Sequence, residues 1–113
     1  MSFNYTTINE NIISVSLPEN VLGGEETILL TSLFNKLAEN KDANLKVFAL
    51  DLTNVNVMNS SGLGMLASAL ATSKKHNIEL VLVGANQKIE KLLIMTGLNK
   101  VFKNYNSIND ILI

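Results

Sequence analysis

Apolar and polar positions change their rhythm several times along this chain, and each change predicts an element. Residues 3–8 alternate loosely through Phe3, Tyr5 and Ile8, and Asn9-Glu10-Asn11 marks a turn. Ile13, Val15 and Leu17 then alternate with Ser14 and Ser16, the period-two signature of a half-buried strand, here the second arm of a hairpin. Pro18 and Gly23-Gly24 interrupt the chain. From Glu25 the period becomes helical, with Leu30, Leu33, Phe34 and Leu37 at i, i+3, i+4 and i+7. Glu25 and Glu26 stand in the first turn, where they complement the helix dipole, and Asn40 to Asn44 closes the element.

The middle of the chain is more apolar. A β-rich run from Leu45 to Met58 contains Val47-Phe48-Ala49-Leu50, whose continuous apolar character predicts a central strand covered on both faces. An amphipathic helix follows from about Leu63, with Leu63, Leu66, Ala67 and Leu70 on one side and Lys74-Lys75-His76 at its end. Ile78 to Val83 predicts another buried strand, ended by Gly84. Ile89, Leu92 and Leu93 mark a third helix stopped by Gly97, Val101 and Phe102 a short strand, and Ile108, Ile111 and Leu112 a closing helical turn. The predicted order is β-β-α-β-α-β-α-β-α. Strands alternating with helices imply right-handed crossovers and a mostly parallel central sheet, entered by an N-terminal hairpin and carrying four helices.

Composition narrows the class. At 113 residues the chain is expected to be a single α/β domain, residues 1–113, with no internal repeat or linker. Apolar residues make up 47% and aromatics only 5%, so the core is aliphatic. The absence of cysteine excludes a disulfide scaffold and a thiolate metal site, and fits a reducing, cytoplasmic compartment. Nine basic and ten acidic residues give a net charge of −1 with no basic stripe, so nucleic acid is not an expected partner. The first residues lack the pattern of a signal peptide, and no apolar run approaches the ~20 residues that span a bilayer.

The candidate chemistry lies in Met58-Asn59-Ser60-Ser61-Gly62-Leu63-Gly64, between the central strand and the second helix. Ligands gather at the carboxyl ends of parallel strands, and the first N–H groups of a helix lack partners of their own. Ser60 or Ser61 can act as N-cap. A cap needs one hydroxyl and no glycine, whereas this turn offers two hydroxyls followed by Gly62 and Gly64, which leave part of the first helical turn open to an approaching surface. The local pattern is compatible with a plain cap and with a phosphorylation site. An enzyme fits less well: the one histidine, His76, sits in a Lys-Lys-His helix end and reads as solvated, and no base accompanies Ser60 in sequence. Met58, Leu63 and Met65 read as core rather than as an exposed patch. No cofactor or metal is expected.

Leu50-Asp51-Leu52, a six-residue spacer and Asn59-Ser60-Ser61-Gly62-Leu63-Gly64 resemble the signature of STAS domains, the fold of bacterial anti-sigma factor antagonists. Lys91-Leu92-Leu93-Ile94-Met95-Thr96-Gly97-Leu98 resembles the third helix of that family and its glycine stop, so the likeness runs along nearly the whole chain. The resemblance implies a protein-binding switch. Its partners would be an anti-sigma factor that is also a serine kinase, and a serine/threonine phosphatase, with no membrane. Ser60 matches the phosphoacceptor; Asn59, Ser61, Gly62, Leu63 and Gly64 form the switch region; and Asp51 is expected to hold the Ser60 turn. Two positions depart from the family pattern. Asn59 replaces an acidic residue, and Leu22 stands where the loop before the first helix carries its second acidic residue. A STAS subunit of a lipid-transport complex or signalling scaffold, without phosphorylation, is the alternative reading.

Overall fold

The computed structural model describes residues 3–40 and 44–112. In chain order the elements are β1 (Tyr5–Asn9), β2 (Ile12–Ser16), β3 (Asn20–Val21), α1 (Glu25–Ala38), β4 (Val47–Asp51) and β5 (Val57–Met58). They continue with α2 (Ser60–Lys75), β6 (Glu79–Val83), α3 (Gln87–Thr96), a 3-10 turn (Leu98–Lys100), β7 (Lys103–Tyr105) and α4 (Ile108–Ile111). The predicted α/β architecture is the one observed. One five-stranded sheet runs in the order β1-β2-β4-β6-β7. The β1–β2 hairpin is antiparallel and every other pair in that sheet is parallel. At the hairpin turn, the Asn11 N–H donates to Asn9 Oδ1 at 2.8 Å.

Burial explains the sheet's position. On one face Val15, Phe48, Leu50, Leu80 and Leu82 meet Leu30 and Phe34 of α1, Leu63 and Leu66 of α2, and Ile89 and Leu93 of α3. The rings of Phe34 and Phe48 stack with centroids 4.0 Å apart and planes 9° from parallel. On the other face Ala49, Val81 and Val83 are covered by Tyr105, Ile108 and Ile111, so the short α4 closes the second layer. Because β4 and β6 are covered on both sides, they show runs of apolar residues and no alternation.

Several boundaries differ from the sequence reading. The β-rich run from Leu45 to Met58 holds a second strand besides the central one: β4 ends at Asp51, and β5 leaves the main sheet to pair in parallel with β3, Asn20 opposite Val57 and Val21 opposite Met58. Two-residue strands carry no period, so this second sheet has no signature in sequence. The short strand begins at Lys103 rather than Val101, because the chain after Gly97 first winds through a 3-10 turn closed by the Val101 N–H, which donates to the Leu98 carbonyl at 3.1 Å. Gly97 does stop α3, in the left-handed conformation at φ 77°. The first helix ends at Ala38; of the predicted closing segment, Asn40 and Asn44 follow in irregular chain, and residues 41–43 lie outside the described residues. His76 is not a freely solvated residue. It is half-buried, and its Nε2 lies 2.8 Å from Asn35 Oδ1, joining the ends of α1 and α2.

Candidate functional site

The Ser60 turn lies at the carboxyl end of the parallel strands, where β4 gives way to α2. Asn59, and neither serine, is the N-cap of α2. Its backbone is extended at φ −103° and ψ −176°, and its Oδ1 accepts the Gly62 N–H at 2.8 Å. This replaces the expected Ser60 or Ser61 cap, since a four-atom amide side chain one residue earlier reaches the third N–H of the helix without strain. The helix therefore begins at Ser60, three residues before Leu63. Both serines are exposed, and neither hydroxyl is tied down by a hydrogen bond. No acidic residue stands in the first turn of this 16-residue helix, so its own sequence places no negative charge at the positive end around Ser60.

The two glycines have different surroundings. Gly62 is buried, and a Cβ on it would run into the Val21 carbonyl oxygen and lie 2.9 Å from Met58 Cγ. Gly64 is exposed, with no atom within 4 Å of where its Cβ would be. The free surface at the turn is thus Asn59, Ser60, Ser61 and Gly64, while Gly62 and Leu63 pack inward. Met58, Leu63 and Met65 all belong to the core, as the pattern predicted. Gly23, at φ 77°, lets the β3 loop lie against Ser61; a Cβ there would come 2.6 Å from the Ser61 carbonyl oxygen.

Asp51 supports a different turn from the one expected. Its Oδ1 accepts the Thr53 N–H at 2.9 Å and also the Thr53 hydroxyl, fixing the chain just after β4 rather than the Ser60 turn. The segment from Leu52 to Val57 is then pinned from three sides. The Leu52 N–H donates to the Val83 carbonyl at 2.7 Å, and those of Asn56 and Val57 donate to the Glu19 carbonyl at 2.8 and 3.0 Å. Asn86, the N-cap of α3, accepts the Ile89 N–H at 2.9 Å while its Nδ2 donates to the Val55 carbonyl at 3.1 Å. Asn86 is therefore a positioning residue that sequence reasoning missed. An asparagine ahead of a helix signals a cap; its second bond, to a residue 31 positions away, has no local trace.

Comparison with known proteins gives the arrangement its place. The profile of the STAS domain matches residues 5–111. The chain belongs to the STAS domain family. An anti-sigma-B factor antagonist from Listeria monocytogenes serovar 1/2a is 35% identical to this STAS domain over 57 residues, 50% of each protein. The protein of the same description from Listeria innocua serovar 6a matches to the same extent, so the chain spans about half the length of the curated relatives it matches. The crystal structure of a candidate anti-sigma factor antagonist from Thermotoga maritima has a TM-score of 0.77 at 25% identity, covering 97% of this chain and 91% of that one. The Bacillus cell fate determinant SpoIIAA in its phosphorylated form has a TM-score of 0.70 over 97% of this chain and 96% of that one, and at 11% identity that likeness is one of fold alone. Among the described residues no helix is long and apolar enough to cross a membrane.

Proposed function

We propose that this STAS domain is an anti-sigma factor antagonist: a binding module that docks on an anti-sigma factor through the exposed end of α2 and is released when Ser60 is phosphorylated. In this reading the domain is a substrate and a switch and not a catalyst. The anti-sigma factor is also the serine kinase, a serine/threonine phosphatase restores the unmodified form, and the cycle runs in the cytoplasm. The observation that supports it is the division of labour between Asn59 and Ser60. Asn59 satisfies the helix, which leaves the Ser60 hydroxyl exposed and without a structural bond. Phosphorylation would add about −1.5 to −2 charges there. Inside the domain that charge faces the positive end of α2 and is tolerated. At a protein interface one like charge at 4 Å is worth about 4 kcal/mol at an effective dielectric near 20, and ~1.4 kcal/mol already shifts an equilibrium tenfold. The fold survives while the complex is lost.

One observation favours a second reading. Asn59 carries no charge, so it cannot act as the carboxylate that the family pattern places beside the acceptor serine. A STAS subunit of a transport or scaffold complex needs no such carboxylate and no modification of Ser60. Incubation with ATP and the anti-sigma kinases of the same genome, followed by mass spectrometry, separates the two. The switch predicts phosphate on Ser60, none on the Ser60→Ala variant, an unchanged urea midpoint for that variant, and a Ser60→Asp variant that no longer binds the kinase. An unmodified Ser60, or a Ser60→Asp variant that binds as well as wild type, sinks the switch and leaves the scaffold reading.

A further inference from the structure

Charge is segregated along this chain. The first 35 residues carry Glu10, Glu19, Glu25 and Glu26 and no lysine or arginine, whereas residues 74–103 carry six lysines against Glu79 and Glu90. The fold turns this into two faces of opposite sign, each with uncovered aliphatic side chains. At the start of α1, Glu19, Leu22, Glu25, Glu26 and Leu29 line a groove of about 500 Å³, and Ile28 of the same helix is 67% exposed. On α3 the outer side presents Lys88, Lys91, Ile94 and Met95, the last two 62% and 80% exposed, and Lys100 and the exposed Val101 continue this face through the 3-10 turn. Ile89 and Leu93 hold α3 to the core from the opposite side, so the side chains of Ile94 and Met95 lie outside the core.

The two faces cannot meet within one chain. Helix α1 crosses from β2 to β4 and α3 from β6 to β7, which places them on opposite flanks of α2. We propose that they meet between chains: the lysine-edged α3 face of one copy docks on the glutamate-edged α1 groove of a second copy. Ile94 and Met95 enter the groove against Leu22 and Leu29, and Lys88, Lys91 and Lys100 face Glu19, Glu25 and Glu26. A contact between two different patches propagates head to tail or closes a ring, and stops at a pair only where a two-fold axis lets both contacts form at once. Exposed ion pairs are individually weak, so the association is weak and loosens as salt screens the rim. The proposal does not rest on Ser60 being phosphorylated.

Sedimentation velocity from micromolar to millimolar protein, at low and high salt, tests this. The weight-average sedimentation coefficient of the unmodified protein rises with concentration at low salt and falls back toward the monomer value at high salt. The variant Glu19→Lys/Glu25→Lys and the variant Lys91→Glu/Lys100→Glu each stay monomeric alone, because each then carries two faces of one sign. Mixed in equal amounts, they associate again. Met95→Ser, which changes no charge, weakens self-association at low salt. A wild-type protein that stays monomeric throughout at low salt overturns the proposal, as do charge variants that associate like wild type or a mixture that stays monomeric.

Discussion

At the scale of single residues, the site depends on which side chain does the capping. Asn59 satisfies the Gly62 N–H, so its removal exposes a helix end rather than disabling a catalyst. Asn59→Ala is expected to lower the unfolding free energy by about 1 kcal/mol in urea denaturation, while Asn59→Asp keeps the acceptor oxygen and loses nothing. The glycines give a sharper contrast. Gly62→Ala drives a methyl into the Val21 carbonyl and is expected to destabilise by about 1–3 kcal/mol, the range for overpacking a filled space. Gly64→Ala meets no atom and removes a flexible residue from a helix interior, so it should stabilise by roughly 0.5–1 kcal/mol. The two variants measured side by side in urea check this; equal shifts for both would contradict the packing of β3 against α2.

At the scale of elements, the segment between β4 and α2 is held by neighbours distant in sequence. Glu19 offers its carbonyl from the β3 loop, Val83 from β6, and Asn86 reaches back from the cap of α3. Asn86→Ala removes both the α3 cap and the tie to Val55, and the cap alone is worth about 0.5–2 kcal/mol. The expected result of hydrogen exchange on this variant is faster exchange in residues 52–59 and at the start of α3, with the central strands protected as before. Uniform acceleration across the sheet would mean that Asn86 acts through global stability alone. The helices were the most legible elements in the sequence, because Leu30-Leu33-Phe34-Leu37 and the Gly97 stop are local signals. The β3–β5 pair was the least legible, being two residues long on each side.

At the scale of the whole molecule, the helical layer is fixed to the sheet by its largest side chains. Phe34 is fully buried and stacks on Phe48, so one contact joins α1 to β4. Phe34→Ala is expected to lower stability by about 3–5 kcal/mol, a large share of what a domain of this size has, and a thermal melt by circular dichroism reads it directly. The Ser60 turn lies at the sheet's carboxyl end, away from this anchor. In the proposed switch, a charge added at Ser60 would therefore leave the layer that supports it undisturbed.

The sequence alone determined the order of the main elements, the double burial of β4 and β6 and the place of the serine turn between strand and helix. Each rests on a periodicity or a glycine within a few residues. It did not show that Asn59 would take the cap and free Ser60, that Asp51 would hold Thr53 instead, or that Gly62 would face Val21 while Gly64 faced solvent. The first two are bonds between residues two or three apart, which the folded backbone selects from several that the local sequence allows. The third joins residues about forty positions apart through the β3 loop, and only the folded chain decides it.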